Sequence, residues 1–305
     1  MRKMNKMMVG TVLAVCLAGT CLAAEPVYDE KSTRTVIDRM KTVGAIGFAA
    51  ETATLTDIPY YPEGALKDPK AADKCRLDLR YPKSVKGFKT VVWFHGGGLT
   101  HGARHWLPLA DPTIAQVPVA YRFLGVEAAK GDECIEDAAA AVAWTLRHIA
   151  EYGGDPKGVY VAGLSAGAYL TMMVGMDAKR LAKWGCSNMD LAGLVPISGQ
   201  VTAHFAVRQF AGDTDPQFQP KIDDLSALRY VAKDLPPLLS ICGQPPWEWQ
   251  VRAEENRMLV ASCKALGNEN ARFVELPYAN HGRAFVCGVP YLELFIHNGL
   301  PGDLK

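Results

Sequence analysis

Short apolar runs of strand length alternate with segments of helical periodicity along most of the chain. Clusters of β-branched and apolar residues predict strands at 58–61, 76–81, 90–95, 117–121, 159–162, 191–197, 238–242 and 272–276. Apolar residues at helical spacing predict helices over 134–152, 165–176, 252–266 and 291–297. Because strands alternate with helices, we expect an α/β protein with a mostly parallel sheet and helices on both of its faces.

The stretch 199–237 departs from this alternation. It contains scattered Pro and Asp residues and one predicted short helix near 225–231. We interpret it as an insertion that forms a small lid over the carboxyl edge of the sheet. The whole of 25–305 is then a single domain.

The first 24 residues have the pattern of a secretory signal peptide. Arg2, Lys3 and Lys6 form a basic start, residues 7–22 are apolar, and two alanines precede the first acidic residue, Glu25. The apolar stretch is shorter than the ~20 residues that cross a bilayer. We therefore expect cleavage after either alanine and a secreted or periplasmic protein without a stable membrane anchor. An uncleaved anchor is the alternative.

Composition excludes two broad classes of protein. Hydrophobic residues make up 49% of the chain and charged residues 21%, which is typical of a folded soluble domain and not of a disordered one. Loss of the signal peptide lowers the 33 basic residues by three against 32 acidic ones, so the formal net charge changes from +1 to −2. Nucleic-acid binding is disfavoured, because it normally needs a basic face.

Six cysteines follow the predicted signal peptide, and none of them forms a Cys-x-x-Cys pair. Structural zinc is therefore not expected, and no metal site is predicted. An exported protein can form disulfides, but buried free thiols are equally compatible with this number of cysteines in a chain of this length. The pairing stays open.

A Gly-x-Ser-x-Gly motif at 163–167 follows a predicted strand and precedes a predicted helix. Its glycines leave room for a sharp strand-to-helix turn that would expose Ser165 as a nucleophile. A turn with a purely structural role is the alternative, but the strand–turn–helix context favours a catalytic serine.

A second glycine motif, Gly96 to Gly98, lies at the end of another predicted strand. Glycines there let backbone N–H groups point at one small volume, as the binding of an oxyanion requires. We expect the amides of Gly97, Gly98 and Ala166 to form an oxyanion hole. A phosphate-binding loop is disfavoured because no Gly-Lys-Ser/Thr follows. His95 is expected to brace this loop and not to titrate.

The general base of such a site is predicted to be His281. It lies directly after the predicted strand 272–276 and is followed by a glycine. The chain order serine, acid, histidine places the base at this position. His101 and His105, after the glycine loop, could instead line the mouth of the site. A surface loop histidine without a catalytic role is the alternative interpretation of His281.

Together these motifs resemble the α/β-hydrolase superfamily. The segments Val91-Val-Trp-Phe-His-Gly-Gly-Gly98 and Gly153-Gly-Asp-Pro156 resemble more closely the secreted carboxylesterases of the hormone-sensitive-lipase and feruloyl-esterase-like group. The resemblance covers roughly residues 56–300. It implies the α/β-hydrolase fold and a serine esterase without a cofactor, which acts on esters of small acids or of plant polysaccharides.

One departure from the family pattern concerns the acid of the triad. In these families a carboxylate commonly follows the glycine that ends the strand at 238–243, whereas this chain has Gln244-Pro245-Pro246 there. Glu248 is the next acid along the chain. We expect it to orient His281, provided that its side-chain length and the double-proline turn compensate for the shift. The alternatives are Glu254, Glu255, Asp223 or no acid at all.

Aromatic residues are predicted in the loops around the carboxyl edge, where ligands of this architecture bind. We expect Trp106, Trp247 and Trp249 to contact the substrate, with Phe205 nearby. An acyl chain, an aryl acid or a sugar ring would suit such walls equally well. Simple packing in the core or lid is the alternative for each of them.

These observations predict a secreted serine carboxylesterase that forms an acyl-enzyme on a small-molecule or carbohydrate ester. A serine peptidase of the same fold ranks second, because no propeller or long N-terminal extension is present to gate peptides. A catalytically degraded member that binds a ligand or partner is the third hypothesis. It is motivated by the missing carboxylate at 244–246.

Overall fold

A computed structural model of the protein describes residues 50–128 and 130–300, so the predicted signal peptide lies outside the described residues. The described strands are β1 (Thr52–Pro59), β2 (Arg76–Pro82), β3 (Phe88–Phe94), β4 (Ala115–Val119), β5 (Gly154–Leu164), β6 (Gly193–Ile197), β7 (Leu238–Gly243) and β8 (Ala271–Leu276). The described α-helices are α1 (Pro69–Lys74), α2 (Gly131–His148), α3 (Ala166–Met176), α4 (Ala178–Ala182), α5 (Phe205–Phe210), α6 (Arg252–Ala265) and α7 (His281–Asn298).

The described strands form one sheet in the order β1-β2-β4-β3-β5-β6-β7-β8. The pairs β1–β2 and β2–β4 are antiparallel, and every pair from β4 through β3 to β8 is parallel. This confirms the predicted fold class, a mostly parallel sheet of the α/β-hydrolase type. It also brings the carboxyl ends of β3, β5, β6, β7 and β8 to one edge.

Two hydrophobic cores cover the two faces of the sheet. One core packs α2, α3 and α6 against residues such as Val92 and Val161. The other core packs α7 against the neighbouring positions in the same strands, including Val91 and Ala162. Because successive residues of a strand face opposite sides, both faces of a central strand must be apolar, which explains its continuous apolar sequence.

Each predicted strand and helix overlaps an observed one. The differences are shifted ends and three short helices, α1, α4 and α5, that the pattern did not predict. The predicted helix over 134–152 ends at His148 and continues as a short 3-10 turn to Tyr152. Gly153 then adopts a left-handed conformation with φ 95°, which glycine accommodates without strain. The last helix is longer than predicted, because α7 begins at His281 and the pattern indicated only its second half.

The stretch 199–237 connects β6 to β7 and contains α5 and a 3-10 turn at Ala227–Tyr230. That turn lies where a short helix was predicted. The role of this stretch as a lid stays a prediction. Across residues 50–128 and 130–300, none of the helices has the length and apolar character that a bilayer crossing would need.

Candidate active site

Five loops meet at the carboxyl edge of the sheet, because each follows a strand of the parallel part. In chain order they carry the glycines 96–98 after β3, Ser165 after β5, Ser198 after β6, Glu248 after β7 and His281 after β8. The residues predicted to act in catalysis therefore lie on the same edge, although up to 185 positions of sequence separate the first from the last.

Ser165 is held in a strained turn between β5 and α3. Its backbone has φ 56° and ψ −114°, a conformation that costs energy for any residue with a side chain. Its N–H donates to the carbonyl of Ile197 at 2.9 Å, and its own carbonyl accepts from Tyr169 at 3.0 Å. The turn thus fixes the serine between two neighbouring strands and the first turn of a helix.

The two glycines of the motif are required by close backbone approaches. A Cβ on Gly163 would overlap the carbonyl group of Gly167, which lies across the turn. A Cβ on Gly167 would overlap the backbone of Phe94 at the end of β3. The motif therefore presses the start of α3 against the strand that carries the second glycine loop.

The glycine loop after β3 lies against the serine turn. A Cβ built on Gly96 would be 3.4 Å from Cβ of Ser165. Gly97 and Gly98 have φ 113° and 61°, which favour glycine. The carbonyl of Gly97 accepts from the amides of Thr100 and His101 at 3.0 and 3.1 Å, which closes the loop into a turn.

The buried side chain of His95 holds this loop in place by a hydrogen bond to its backbone. Its Nδ1 donates to the carbonyl of Gly96 at 2.6 Å, and its ring stacks on Tyr121 with centroids 4.5 Å apart. The Tyr121 hydroxyl in turn donates to the carbonyl of His95 at 2.8 Å. Burial lowers the pKa of His95 to about 4, so its ring is neutral near pH 7. These contacts give His95 the geometry of a bracing residue.

His281 and Glu248 form a close hydrogen-bonded pair. Nδ1 of His281 donates to Oε1 of Glu248 at 2.7 Å, and the carboxylate is fully shielded from solvent. The other carboxylate oxygen, Oε2, accepts from the hydroxyl of Ser198 at 2.7 Å and from the amide of Gly243 at 3.2 Å. The amide of Trp249 adds a bond to Oε1 at 2.8 Å.

A tight turn brings Glu248 back over the end of β7. The carbonyl of Gln244 accepts from the amides of Trp247 and Glu248 at 3.0 and 3.1 Å. The glycine at position 243 makes this approach possible. A Cβ there would lie only 2.8 Å from Oε2 of Glu248 and would push the carboxylate away. The carboxylate thus reaches the end of the strand, where the family pattern expects an acid.

The surroundings of Glu248 favour its ionised form. Burial alone would raise its pKa, but the hydrogen bonds from His281 and Ser198 outweigh this effect and hold the pKa at about 2. A carboxylate that is ionised at neutral pH can fix the tautomer of a neighbouring imidazole and stabilise the imidazolium.

Sequence reasoning did not single out Ser198. It has φ 52° and is fully buried directly after β6. Its position one residue beyond a predicted strand, beside the strand of the nucleophile, was the available signal. Its function is to donate to Glu248, which no local pattern could indicate because the two residues are 50 positions apart.

The other candidate acids lie in different environments. Glu254 is exposed on α6. Glu255 accepts from the Thr202 hydroxyl at 2.9 Å, and Asp223 accepts from the amide of Leu225 at 2.8 Å. Of these four candidate acids, Glu248 is the one that hydrogen-bonds to His281.

Two of the three tryptophans lie beside the pair of His281 and Glu248. The ring of Trp249 stacks on His281 with centroids 4.8 Å apart and lies 6.0 Å from the ring of Phe205. Trp247 is 49% exposed and packs edge-on against Tyr278. Trp249 is 39% exposed, so both rings remain partly open to solvent near the site.

Trp106 is placed elsewhere. The guanidinium of Arg80 lies 4.0 Å above the centre of its ring. Arg80 belongs to β2 and pairs with Gln116 near the amino end of β4, away from the carboxyl edge of the parallel strands. The structure therefore does not bring Trp106 together with the aromatic residues around His281. In the described residues, no group of three or more His, Cys, Asp or Glu side chains is arranged to hold a metal ion.

Curated proteins of similar sequence include esterases and another hydrolase. The chain is 26% identical to Esterase LipQ of Mycobacterium tuberculosis over 261 residues, which is 77% of this chain and 58% of that protein. It is 35% identical to the phenmedipham hydrolase of Pseudarthrobacter oxydans over 118 residues, which is 35% of this chain and 24% of that protein. The chain thus spans less than two thirds of the length of either relative.

Solved structures share the fold at low sequence identity. A truncated carbohydrate esterase from gut microbiota superposes with a TM-score of 0.65 at 18% identity, over 81% of this chain and 96% of that one. The butyrate-bound esterase 2 of Thermogutta terrifontis superposes with a TM-score of 0.58 at 18% identity, over 83% and 96% of the two chains.

The family model described as BD-FAE matches residues 77–246. The matched stretch contains the glycine loop, the serine turn and the strand that ends at Gly243, and it stops two residues before Glu248. It covers more than half of the chain. The protein therefore belongs to the BD-FAE family, within the α/β-hydrolase superfamily.

Proposed function

We propose that the protein is a serine ester hydrolase whose triad is Ser165, His281 and Glu248. The observation that carries the proposal is the 2.7 Å bond between His281 and a buried, ionised Glu248 at the sheet edge that also bears the strained serine. The names of the similar curated proteins, which are esterases and a hydrolase, support the same class of reaction.

In this proposal, the hydroxyl of Ser165 attacks the ester carbonyl and loses its proton to Nε2 of His281. Nε2 is the nitrogen available for this step, because Nδ1 is bonded to Glu248. The imidazolium then protonates the leaving alcohol, and an acyl-enzyme remains. Water then attacks the acyl group and loses a proton to Nε2 of the same histidine. The bond between the acyl group and Oγ of Ser165 breaks, the imidazolium returns the proton to Oγ, and the acid is released.

The charge that develops on the carbonyl oxygen would be held by backbone amides of Gly97, Gly98 and Ala166. Ala166 directly follows the serine and is fully buried at the start of α3. The position of the loop supports this role, because a Cβ on the preceding Gly96 would lie 3.4 Å from Cβ of Ser165. Loss of one such donor typically costs about a hundred-fold or more in rate.

The substrate is proposed to be a small-molecule or carbohydrate ester that packs against Trp249 and Phe205. These rings form a wall from His281 to the glycine loop, because a Cβ on Gly98 would be 3.8 Å from the ring of Phe205. Such a wall can cover an acyl chain, an aryl acid or a sugar ring.

The test is the hydrolysis of 4-nitrophenyl acetate by the protein and by its Ser165→Ala variant. We expect Ser165→Ala to lose activity by about a thousand-fold or more. Ser262→Ala, which removes a partly exposed hydroxyl near the C-terminal end of α6, is the matched control and should keep the activity. Equal rates for the protein and Ser165→Ala would overturn the proposal.

Labelling with a fluorophosphonate separates this enzyme from a degraded member that only binds a ligand. The active esterase should be labelled on Ser165, and the Ser165→Ala variant should not. A protein that is folded but unlabelled would favour the binding hypothesis. Hydrolysis of peptide anilides at rates that approach those of the matching esters would favour a peptidase instead, because esters are intrinsically the more reactive substrates.

We also propose that residues 1–24 direct export of the chain and are then removed. The support is the basic, apolar and small-residue order of this segment. Expression of the full chain in a bacterium, followed by fractionation and mass determination of the N-terminus, tests it. A mature protein that starts at Ala24 or Glu25 outside the cytoplasm is expected, and an intact chain retained in the cytoplasm would contradict the proposal.

A further inference from the structure

A buried arginine lies beside the candidate site and has no part in the proposed reaction. Arg252 is the first residue of α6 and is only 4% exposed. Among the described residues, its Nε and Nη1 atoms are buried without a hydrogen-bond partner. A guanidinium carries its charge at any physiological pH, so it is costly to bury two of its nitrogens without hydrogen-bond partners.

The position of Arg252 connects it to the catalytic pair. Its guanidinium carbon lies 5.8 Å from the centre of the Trp249 ring. The same ring stacks on His281, with centroids 4.8 Å apart. A single indole therefore separates the buried cation from the proposed general base.

Arg252 also lines a small cleft that is open to solvent. Its polar walls are Gln200, Gln217 and Gln250, and Phe205 forms part of its apolar wall. The ring of Phe205 also lies next to the glycine loop, because a Cβ added to Gly98 would be 3.8 Å from it. The cleft is thus adjacent to the place where the ester carbonyl would bind. It is far too small to enclose a whole ligand, so it can take only one small group at the end of a substrate.

One carboxylate shares the cleft, that of Glu255. Its oxygens accept from the Thr202 hydroxyl at 2.9 Å and from the amide of Val201 at 3.3 Å. Burial lowers the pKa of Arg252, and the negative charges of Glu255 and, more weakly, Glu248 oppose this effect without supplying a hydrogen bond to Nε or Nη1. The cleft therefore offers unused donors on the arginine, while its net charge disfavours a doubly charged anion such as phosphate.

We propose that Arg252 and this cleft form a subsite for a single carboxylate group of the substrate. The preferred ester then carries a free carboxylate on its acid part or on its alcohol part. The planar fork of the guanidinium matches a carboxylate through two parallel hydrogen bonds. The proposal rests on the proposed ester hydrolysis at Ser165, and it adds the class of ester that the site selects.

Two matched pairs of esters test the proposal and separate the two sources of the carboxylate. For the acid part, mono-4-nitrophenyl succinate is compared with 4-nitrophenyl butyrate. For the alcohol part, acetylated galacturonic acid is compared with acetylated galactose. We expect kcat/KM to be about ten-fold to a hundred-fold higher for the anionic ester in one of the two pairs, which is the usual range for a charge-assisted hydrogen bond. The pair that shows this preference identifies the part of the ester that carries the carboxylate.

The variant Arg252→Gln should bring the ratio of kcat/KM for the anionic ester to kcat/KM for the neutral ester toward one. Arg257→Gln is the matched control, because Arg257 is exposed on the same helix and pairs with Glu275, so the variant loses the same charge outside the cleft. The control should keep the ratio. The absence of a preference in both pairs, or an unchanged ratio in Arg252→Gln, would overturn the proposal.

A second measurement does not depend on turnover or on the folding of Arg252→Gln. The Ser165→Ala variant cannot form the acyl-enzyme, so calorimetry can measure its binding of the same ester pairs. Tighter binding of the anionic ester supports the subsite, even where the wild-type protein hydrolyses no ester and the proposed function has failed. Equal binding of both members of each pair, or no binding, would overturn the subsite.

Discussion

At the scale of single residues, the acid of the proposed triad is the most informative feature. The family position past β7 is occupied by Gln244-Pro245-Pro246, but the turn that ends at Glu248 returns a carboxylate to the end of the strand. Four hydrogen bonds, from His281, Ser198, Gly243 and Trp249, hold it there. A displaced acid in the sequence is therefore compatible with a conventional acid–imidazole pair in space.

This arrangement predicts the effect of Glu248→Gln. The variant loses the negative charge that stabilises the imidazolium and can present an amide N–H to His281, so kcat should fall by about a thousand-fold to ten-thousand-fold. Ester hydrolysis by the purified variant, with circular dichroism to verify the fold, measures this. Glu254→Gln, an exposed glutamate on α6, is the matched control and should be near wild type. Equal activity of the two variants would mean that another group orients His281.

At the scale of elements, the apolar pattern predicted the existence of the main strands and helices better than it predicted where they begin and end. The central strands were predictable because both of their faces are buried, so every residue from Val91 to Phe94 is apolar. The start of α7 at His281 was not, because its first turn is polar and partly exposed. Buried contacts between distant loops, such as Ser198 with Glu248, have no local pattern at all.

The helix α7 is also fixed to the loop before β4, and this contact predicts a dependence on pH. His297 lies 3.2 Å from the carboxylate of Asp111, and Glu293 accepts from the amides of Ala110 and Asp111. The hydrogen bond to Asp111 raises the pKa of His297 above its ordinary value of 6.5. The contribution of this pair to the free energy of unfolding is thus fully present below 6.5 and is lost as the pH rises through the raised pKa.

The variant His297→Gln should therefore have a lower free energy of unfolding than wild type at about pH 5.5. This difference in the free energy of unfolding, the gap, should narrow at about pH 9. The gap should stay below about 1 kcal/mol, because the histidine is partly exposed to solvent. Urea unfolding at both pH values measures it. His148→Gln, at an exposed contact with Glu151, is the control and should change stability little. A gap that widens with rising pH would contradict the assigned contact.

At the scale of the whole molecule, the two cores and the placement of the cysteines decide how the chain responds to thiol reagents. Cys75, Cys134, Cys242 and Cys263 are buried and free in the structure. Burial raises the pKa of each of these thiols, to about 11 for Cys263. The thiolate is the reactive form, so both shielding and the raised pKa protect these side chains while the fold is intact.

We therefore expect these four cysteines to resist alkylation in the native protein and to react together once guanidinium unfolds it. A short pulse of iodoacetamide with and without denaturant, followed by peptide mass spectrometry, gives the modified fraction at each position. Cys186 is half-buried and serves as the internal comparison, with partial modification in the native state. Rapid modification of Cys75 or Cys134 in the native protein would show that the core around α2 opens locally. Recovery of any two of the four as a disulfide-linked peptide would contradict the free thiols and would mean that export changes the covalent structure of the core.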